Sequence, residues 1–446
     1  MMDRLVFAAV ADDDTGASDL AGMLAEQGLR TLLVIDLPSS DQLLNWSRGY
    51  HAVLMAVGTR NLTPELARER TREAIRLLET RRPRVFQIKY CSTFDSTPEG
   101  NIGPTIDVAL DELDEDFTIA LPALPVNGRT TYLGYHFVHQ QLLSDSPMRN
   151  HPLTPMTDPN LVALLSRQTK HQVGLVPYVE VEAGGERLKQ YLHHLRESGV
   201  VIALVDCLND QHLEDICRAV ADLRLITGSS AFGMKLPAIW RERGWLAEAQ
   251  EEISVGPPLT TNGYGCLIVA GSCSVATRGQ NEWLAAQGTH VIQINPLDLL
   301  TVNSDWANVI AQARGQLNEG RHCLLTTSSA PDKVRQVQGW GGQRGFSVRA
   351  LGEGIASALA DLVSEILRDQ AAGGLIMAGG ETSGAVCRRL ELGALRVGRN
   401  IEPGVPLCFS LGRLRLPVAL KSGNFGSPDF YGKALEALAQ PARYLT

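Results

Sequence analysis

Short apolar runs alternating with helix-length segments constrain this chain more than any other feature. Leu5 to Val10, Thr31 to Ile35, Ala52 to Val57, Val85 to Ile88 and Phe117 to Leu121 each read as a buried strand. Pro64 to Leu78 and Ile102 to Leu113 read as helices, the first with Pro64 in its opening turn. Parallel neighbours need such crossover helices, so the rhythm predicts an α/β fold with mainly parallel sheets flanked by helices.

The rhythm breaks between Val126 and Pro159. Asn127-Gly128 lies between extended runs and predicts a hairpin. Asn150 to Met156 holds two prolines, which exclude regular helix, and is apolar enough to pack as a structured loop. Alternation resumes with strands at Val201 to Val205 and Leu223 to Thr227, around a helix from Gln211 to Ala221.

Clustered Pro and Gly in Ser254 to Gly265 mark the best boundary. The expected layout is an N-terminal domain over 1–253, a linker over 254–265 and a C-terminal domain over 266–446. The second domain repeats the rhythm, with strands at Cys266 to Ala270, His290 to Ile294, Cys323 to Thr326, Gly374 to Ala378, Val405 to Phe409 and Pro417 to Leu420.

A net charge of −8 without a long basic run argues against nucleic acid or an anionic membrane as the main partner. Local positive charge can still receive a small anion. The eight cysteines form no C-x-x-C and several sit in apolar runs, as reduced thiols of a cytoplasmic protein do. The start of the chain lacks signal-peptide layout, and no apolar run approaches a membrane span. His136 and His139 have the spacing of one helix face but lack a third ligand, so no metal site is assigned to them. His193-His194 reads as part of a solvated helix face.

Ala11 to Asp19 reads A-D-D-D-T-G-A-S-D and joins the first strand to the first helix. Ligands of open α/β sheets bind outside the carboxyl ends of strands, where this turn lies. Three adjacent aspartates repel one another, so folding alone does not favour them. One reading is an N-cap beside solvated charges. The other is a site that handles a hydroxyl, a metal ion or both. Arg60, in Gly58-Thr59-Arg60-Asn61, ends another strand and is suited to a bidentate carboxylate pair or a surface ion pair. Lys89 to Gly103 offers an ammonium, hydroxyls, a carboxylate and an amide, an inventory for a polyhydroxylated acid. Within it Ser96 and Thr97 also suit helix capping.

The second half has three strand–loop–helix junctions of small residues: Ala270 to Ser274, Ala378 to Ala385 and Lys421 to Ser427. Glycine permits close approach of backbone to a ligand, and a helix start favours anions. Three such turns at one end of a sheet point to nucleotide phosphates. The P-loop, the G-x-G-x-x-G turn and the protein-kinase loop are all absent, although Lys421-Ser422 superficially matches a P-loop's end.

Five stretches together resemble the four-carbon acid sugar kinase family over nearly the whole chain. They are A-D-D-D-T-G-A-S-D at 11–19, D-S-T-P-E-G-N-I-G at 95–103, N-H-P-L-T-P-M at 150–156, G-G-E-T-S-G at 379–384 and S-G-N-F-G at 422–426. Lys89 to Thr97 and the 150–156 loop resemble the 3-oxo-tetronate kinase branch. Threonate and erythronate kinases more often carry Leu-Arg where this chain has Pro98-Glu99. Asp14 departs from the family's usual Phe.

The resemblance implies a sugar-acid-binding N-terminal domain, an ATP-binding C-terminal domain and an active site in the cleft between them. It implies phosphoryl transfer to an alcohol, the C4 hydroxyl of a four-carbon sugar acid. The D-threonate or D-erythronate 4-kinases are the near alternative, and a non-catalytic nucleotide-dependent sensor the distant one. Nucleotide contacts are implied at Ser274, Gly379, Gly380, Glu381, Thr382, Gly423 and Asn424. Asp12 and Asp13 are candidates for the catalytic carboxylate, and Arg60, Lys89, Asp95 and Ser96 for substrate contacts. ATP with Mg²⁺ is the expected cofactor set, with Glu381 or a first-loop aspartate on the ion. A homo-oligomer is left open.

Overall fold

The computed structural model describes residues 5–151, 153–246, 263–300, 306–369 and 372–445. It divides into two compact units, Met1–Glu251 and Glu252–Thr446. The expected linker lies outside the described residues except for 263–265.

In unit 1 the first five apolar runs are strands: β1 (Phe7–Ala11), β2 (Thr31–Ile35), β3 (Ala52–Ala56), β4 (Val85–Lys89) and β5 (Thr118–Leu121). Every residue of these strands is buried, as expected where helices cover both faces. Later strands are β6 (Arg129–Tyr132), β7 (Tyr135–Val138), β8 (Gln141–Leu142), β9 (Val173–Val176), β10 (Ile202–Val205) and β11 (Leu225–Gly228). The main sheet of this unit runs β2-β3-β1-β4-β11-β5-β10-β9, all parallel. The chain leaves β1 toward β2 and leaves β4 toward β5, in opposite directions. The crevice past the ends of β1 and β4 is therefore a topological switch point.

The small antiparallel sheet β6-β7-β8 differs from the predicted hairpin. Asn127-Gly128 closes a tight turn between the bridged Leu124 and Arg129, ahead of β6. The hairpin itself turns at Leu133-Gly134, both with positive φ. His136 lies on β7 and His139 on the following turn at φ 55°, so they share no helix face. Buried His136 instead hydrogen-bonds Thr131 at 3.0 Å, and burial pushes its imidazole down to about 4. The 150–156 loop packs as expected where it is described, with Met156 1% exposed. Pro152 lies outside the described residues.

Unit 2 contains β12 (Cys266–Ala270), β13 (His290–Gln293), β14 (Cys323–Thr326), β15 (Gly374–Ala378), β16 (Ala394–Glu402), β17 (Val405–Ser410) and β18 (Pro417–Lys421). Within this unit the order is β13-β14-β12-β15-β18-β17-β16. Among the described residues of this unit only β17 pairs antiparallel, with β16 and β18, and β16 is the strand the sequence pattern misses. Its half-exposed R-V-G-R-N-I-E hides the apolar run that marks a buried strand. Here β12 and β15 form the switch point. No helix among the described residues is long and apolar enough to cross a membrane. All eight cysteines are free thiols, and Cys273 is the exposed one.

Candidate active site

Register assembles the unit 1 site. Ala11 pairs with Lys89, which makes the acidic turn and the end of β4 neighbours. The Asp12 N–H donates to the Lys89 carbonyl at 3.1 Å. Asp13 caps the helix Asp14–Glu26, accepting from the Gly16 N–H at 3.0 Å and the Thr15 hydroxyl at 2.8 Å. Capping is thus a real role of this loop, and it falls on one aspartate.

Arg60 reaches the same turn from the loop after β3. Its Nε and Nη2 grip both Asp12 oxygens at 2.8 and 3.0 Å, and Nη2 also meets Asp13 Oδ1 at 2.9 Å. Nη1 stands 3.7 Å from Asp95 Oδ2. The side chain is 18% exposed, so this is a largely buried network rather than a surface pair. Asn101, which the sequence reading did not single out, anchors the Arg60 loop. Its Nδ2 donates to the carbonyls of Thr59 at 2.7 Å, Leu62 at 2.8 Å and Arg60 at 3.3 Å.

Lys89 is 2% exposed and donates to the Tyr90 carbonyl at 3.1 Å. A Cβ at Gly16 would stand 2.3 Å from Asp13 Oδ1 and 2.8 Å from Lys89 Nζ. Only glycine lets the helix start this close to the charged pair. The repulsion expected among the aspartates is thus offset by two cations.

The two carboxylates that hydrogen-bond Arg60 are driven apart. Burial raises the Asp12 carboxyl and the Asp13 charge adds to this, against Arg60 and Lys89. Burial also works to raise Asp13, but Arg60, Lys89 and the bonds from Thr15 and Gly16 overcome it and hold it low. Asp19, hydrogen-bonded to Ser230, is raised by burial.

Asp95 accepts from the Thr93 hydroxyl at 2.6 Å. Ser96 Oγ accepts from Gln168 Nε2 at 2.9 Å, and its N–H meets the Met156 sulfur at 3.4 Å. Asp12, Arg60, Lys89, Asp95 and Ser96 line one cavity, together with Tyr90. Asp13 stands beside it through Arg60.

In unit 2 the three glycine turns interlock. A Cβ at Gly271 would meet Thr382 Oγ1 at 2.0 Å, and one at Gly423 would meet Ser272 Oγ at 2.2 Å. Gly379, at φ 119°, faces the Ser272 N–H and Thr382. The sequence reading assigned these glycines to ligand approach, whereas the atoms crowding them belong to neighbouring turns. Ser274 caps the helix Val275–Ala286 and donates to the Gly423 carbonyl at 2.6 Å. Gly380 opens the helix Gly380–Arg389 with Thr382 buried in its first turn. Asn424 is exposed on the third turn. Glu381 is exposed in the first turn of the helix Gly380–Arg389, with its Oε2 near Gly352 on the helix Val348–Leu367. Surrounding protein and the Glu353 carboxylate raise its carboxyl, against Arg349.

Three residues beside these turns receive no role from the sequence: Thr277, Gln280 and Lys421. Thr277 and Gln280 show only as polar residues in an amphipathic helix. Lys421 has a visible signal, a lysine ending an apolar strand as Lys89 does.

A family model described as a sugar-binding N-terminal domain matches residues 7–236, and one described as a nucleotide-binding C-terminal domain matches 267–431. A 3-oxo-tetronate kinase of Pseudomonas savastanoi pv. phaseolicola is 40% identical over 98% of this chain and 99% of its own length. One of Cupriavidus necator is 40% identical, with 98% of each chain covered. A solved structure from Salmonella typhimurium LT2 superposes with a TM-score of 0.80 at 32% identity, covering 96% of this chain and 98% of that one. With both domains matched in order and this likeness along the whole length, the chain belongs to the four-carbon acid sugar kinase family and is an ATP-dependent sugar-acid kinase.

Proposed function

We propose that the protein phosphorylates 3-oxo-tetronate at its C4 hydroxyl. The observation that carries this reading is full-length identity of 36% to 40% with curated relatives that share the name 3-oxo-tetronate kinase. Pro98-Glu99, in place of Leu-Arg, supports the same branch.

Phosphoryl transfer depends mainly on positioning and on neutralising charge. In this reading unit 1 supplies the acceptor side and unit 2 the nucleotide side. Asp12 takes or orients the C4 hydroxyl proton, because it lines the cavity that Arg60, Lys89, Asp95 and Ser96 share, and of the two aspartates bonded to Arg60 its carboxyl is the raised one. Asp13 stays ionised as cap and anchor for Arg60, with the Lys89 charge nearby. Three carboxylates, Asp12, Asp13 and Asp95, face two cations, Arg60 and Lys89. That balance favours the neutral hydroxyl end of the sugar acid beside Asp12. The substrate carboxylate then lies toward Arg60 Nη1 and Ser96. Ser274 and the backbone of Gly379, Gly380, Thr382, Gly423 and Asn424 hold the nucleotide phosphates.

Glu381 would take Mg²⁺, since its exposed carboxyl stands in the first turn of the helix that follows the second glycine turn. Among the described residues no three His, Cys, Asp or Glu side chains converge as a metal cluster. Mg²⁺ tolerates so sparse a set because phosphates and waters fill its other positions. When bound, the ion supplies charge neutralisation on the phosphates.

ADP release with 3-oxo-tetronate isomers, D-threonate and D-erythronate in one assay tests the proposal. The oxidised acid should show the highest kcat/KM. Faster turnover of a reduced acid would move the assignment to the alternative kinases. Nucleotide and sugar-acid binding without ADP above the substrate-free rate would support a sensor instead.

A further inference from the structure

The turn after β18 is folded with its carbonyls inward. Lys421 Nζ donates to the carbonyls of Ser422 at 3.0 Å, Gly423 at 3.1 Å and Phe425 at 3.2 Å. Gln280 Nε2 reaches those of Phe425, Gly426 and Ser427, each at 3.0 Å. The Gly423 carbonyl also receives the hydroxyls of Ser274 at 2.6 Å and Thr277 at 2.8 Å. Thr277 Oγ1 in turn lies 3.1 Å from Lys421 Nζ. Five carbonyls of one six-residue turn are thus captured by four side chains.

This capture determines where the N–H groups go. In a trans peptide the N–H points opposite to the preceding C=O. With the Ser422, Gly423 and Phe425 carbonyls drawn inward, the N–H groups of Gly423, Asn424 and Gly426 face outward. None of these three has an acceptor among the described residues. The Phe425 N–H is bonded within the turn, to the Ser422 carbonyl at 3.1 Å, and the Ser427 N–H donates to the Glu402 carboxylate at 2.7 Å, so among the described residues the free N–H groups after Ser422 are those of Gly423, Asn424 and Gly426. Outward N–H groups gathered in one turn form a concavity that suits an anion. Lys421 is fully buried, and among the described residues carbonyl and hydroxyl oxygens, with no carboxylate, accept from its Nζ. Burying an ammonium this way is a poor route to stability. Its partners show what it does instead, which is to turn one loop.

We propose that Lys421, Thr277 and Gln280 are positioning residues that hold the Ser422–Ser427 turn with its N–H groups presented to the nucleotide phosphates. They act through the backbone and touch no substrate themselves. The proposal rests on the reading that this turn takes the nucleotide.

Steady-state kinetics with ATP and the sugar acid varied separately tests it. Thr277→Val removes one hydroxyl at nearly constant shape and should raise KM for ATP about tenfold, the scale of a lost hydrogen bond in a polarised network. KM for the sugar acid should stay within about twofold of the wild type. Thr277→Ser restores the hydroxyl and should recover the wild-type KM for ATP. Lys421→Met should exceed the Thr277→Val effect in the same direction, and if it does not fold Thr277→Val decides. Gly423→Ala disturbs the turn directly through Ser272. Should Gly423→Ala raise KM for ATP while folded Thr277→Val and Lys421→Met leave it unchanged, or raise both KM values alike, the positioning role is wrong. Should Gly423→Ala itself leave KM for ATP unchanged, the turn does not take the nucleotide, and both readings fall.

Discussion

Lys89 and Lys421 both end strands near the switch points of their units, Lys89 on β4 at the switch itself and Lys421 on β18, one strand beyond β15. Each is almost fully buried, and each donates to the carbonyl of the next residue. Their surroundings differ in kind. Lys89 sits near the carboxylates of Asp12, Asp13 and Asp19, whereas Lys421 meets dipoles: three carbonyls and a hydroxyl. A lysine among carboxylates balances charge. A lysine among carbonyls orients backbone and bears the burial cost unshared, which lowers its ammonium to about 7. One strand-end position thus serves an acceptor site built from side chains in unit 1 and, as we propose, a phosphate site built from backbone in unit 2.

The sharpest way to break this comparison is to remove both charges. Lys89→Met removes one of the two cations near Asp12, Asp13 and Asp19 and should cost about 3 kcal/mol in urea unfolding, the upper end of the usual range for one substitution. Lys421→Met leaves no orphaned carboxylate and should cost clearly less. Equal losses would mean that the two lysines have the same structural role. Asp12→Asn comes next. It keeps the shape of the turn but removes the proton acceptor, and kcat should fall about 100-fold or more. KM for ATP should hold, because Asp12 belongs to the acceptor side. A comparable fall for Asp13→Asn with Asp12→Asn near wild type would exchange their roles.

Much of this arrangement is legible in the sequence, for a physical reason. Buried parallel strands need unbroken apolar runs, so β1 to β5 stand out, and the rule about strand ends then locates the turns that follow them. The partners across those turns are harder to see. Arg60 meets Asp12 from 48 positions away, through a register that only the folded sheet defines. Asn101 and Gln168 are ordinary polar residues until their amides are found holding the Arg60 loop and Ser96. The hairpin was misplaced because Leu133, an unfavourable residue for φ 51°, turns the chain instead of Asn127-Gly128. The sequence assigns Lys421 no role because a P-loop lysine is recognised by the glycines before it, which are absent here. Its role follows from the carbonyls after it.

Gly271→Ala tests whether the glycine turns are set by one another rather than by ligand. The new Cβ would stand 2.0 Å from Thr382 Oγ1, and Thr382 is buried and β-branched, with little room to turn. A loss of about 1–3 kcal/mol is expected in urea unfolding without any ligand present. The double variant Gly271→Ala, Thr382→Ala should recover most of it. A Gly271→Ala protein as stable as wild type but poor in ATP binding would return the glycine to the ligand-approach reading.

The smallest expected effect separates the two lysines most cleanly. Lys421 is lowered in the folded protein from its ordinary 10.5 to about 7. Below pH 7 the group is protonated in both states, and the full burial cost weighs on the fold. Between pH 7 and 10.5 the unfolded chain binds the proton that the folded chain has released. Stability therefore rises with pH across that window, by at most about 1.4 kcal/mol per pH unit for one proton. Lys421→Met removes the proton and should remove this slope. Subtracting its urea-derived stability from the wild type's at each pH between 7 and 9 isolates the contribution from other titrating groups. A difference that does not change with pH would mean that Lys421 keeps its proton across this range, held by carbonyl dipoles as firmly as a carboxylate would hold it. The distinction between charge balance and backbone orientation would then rest on geometry alone.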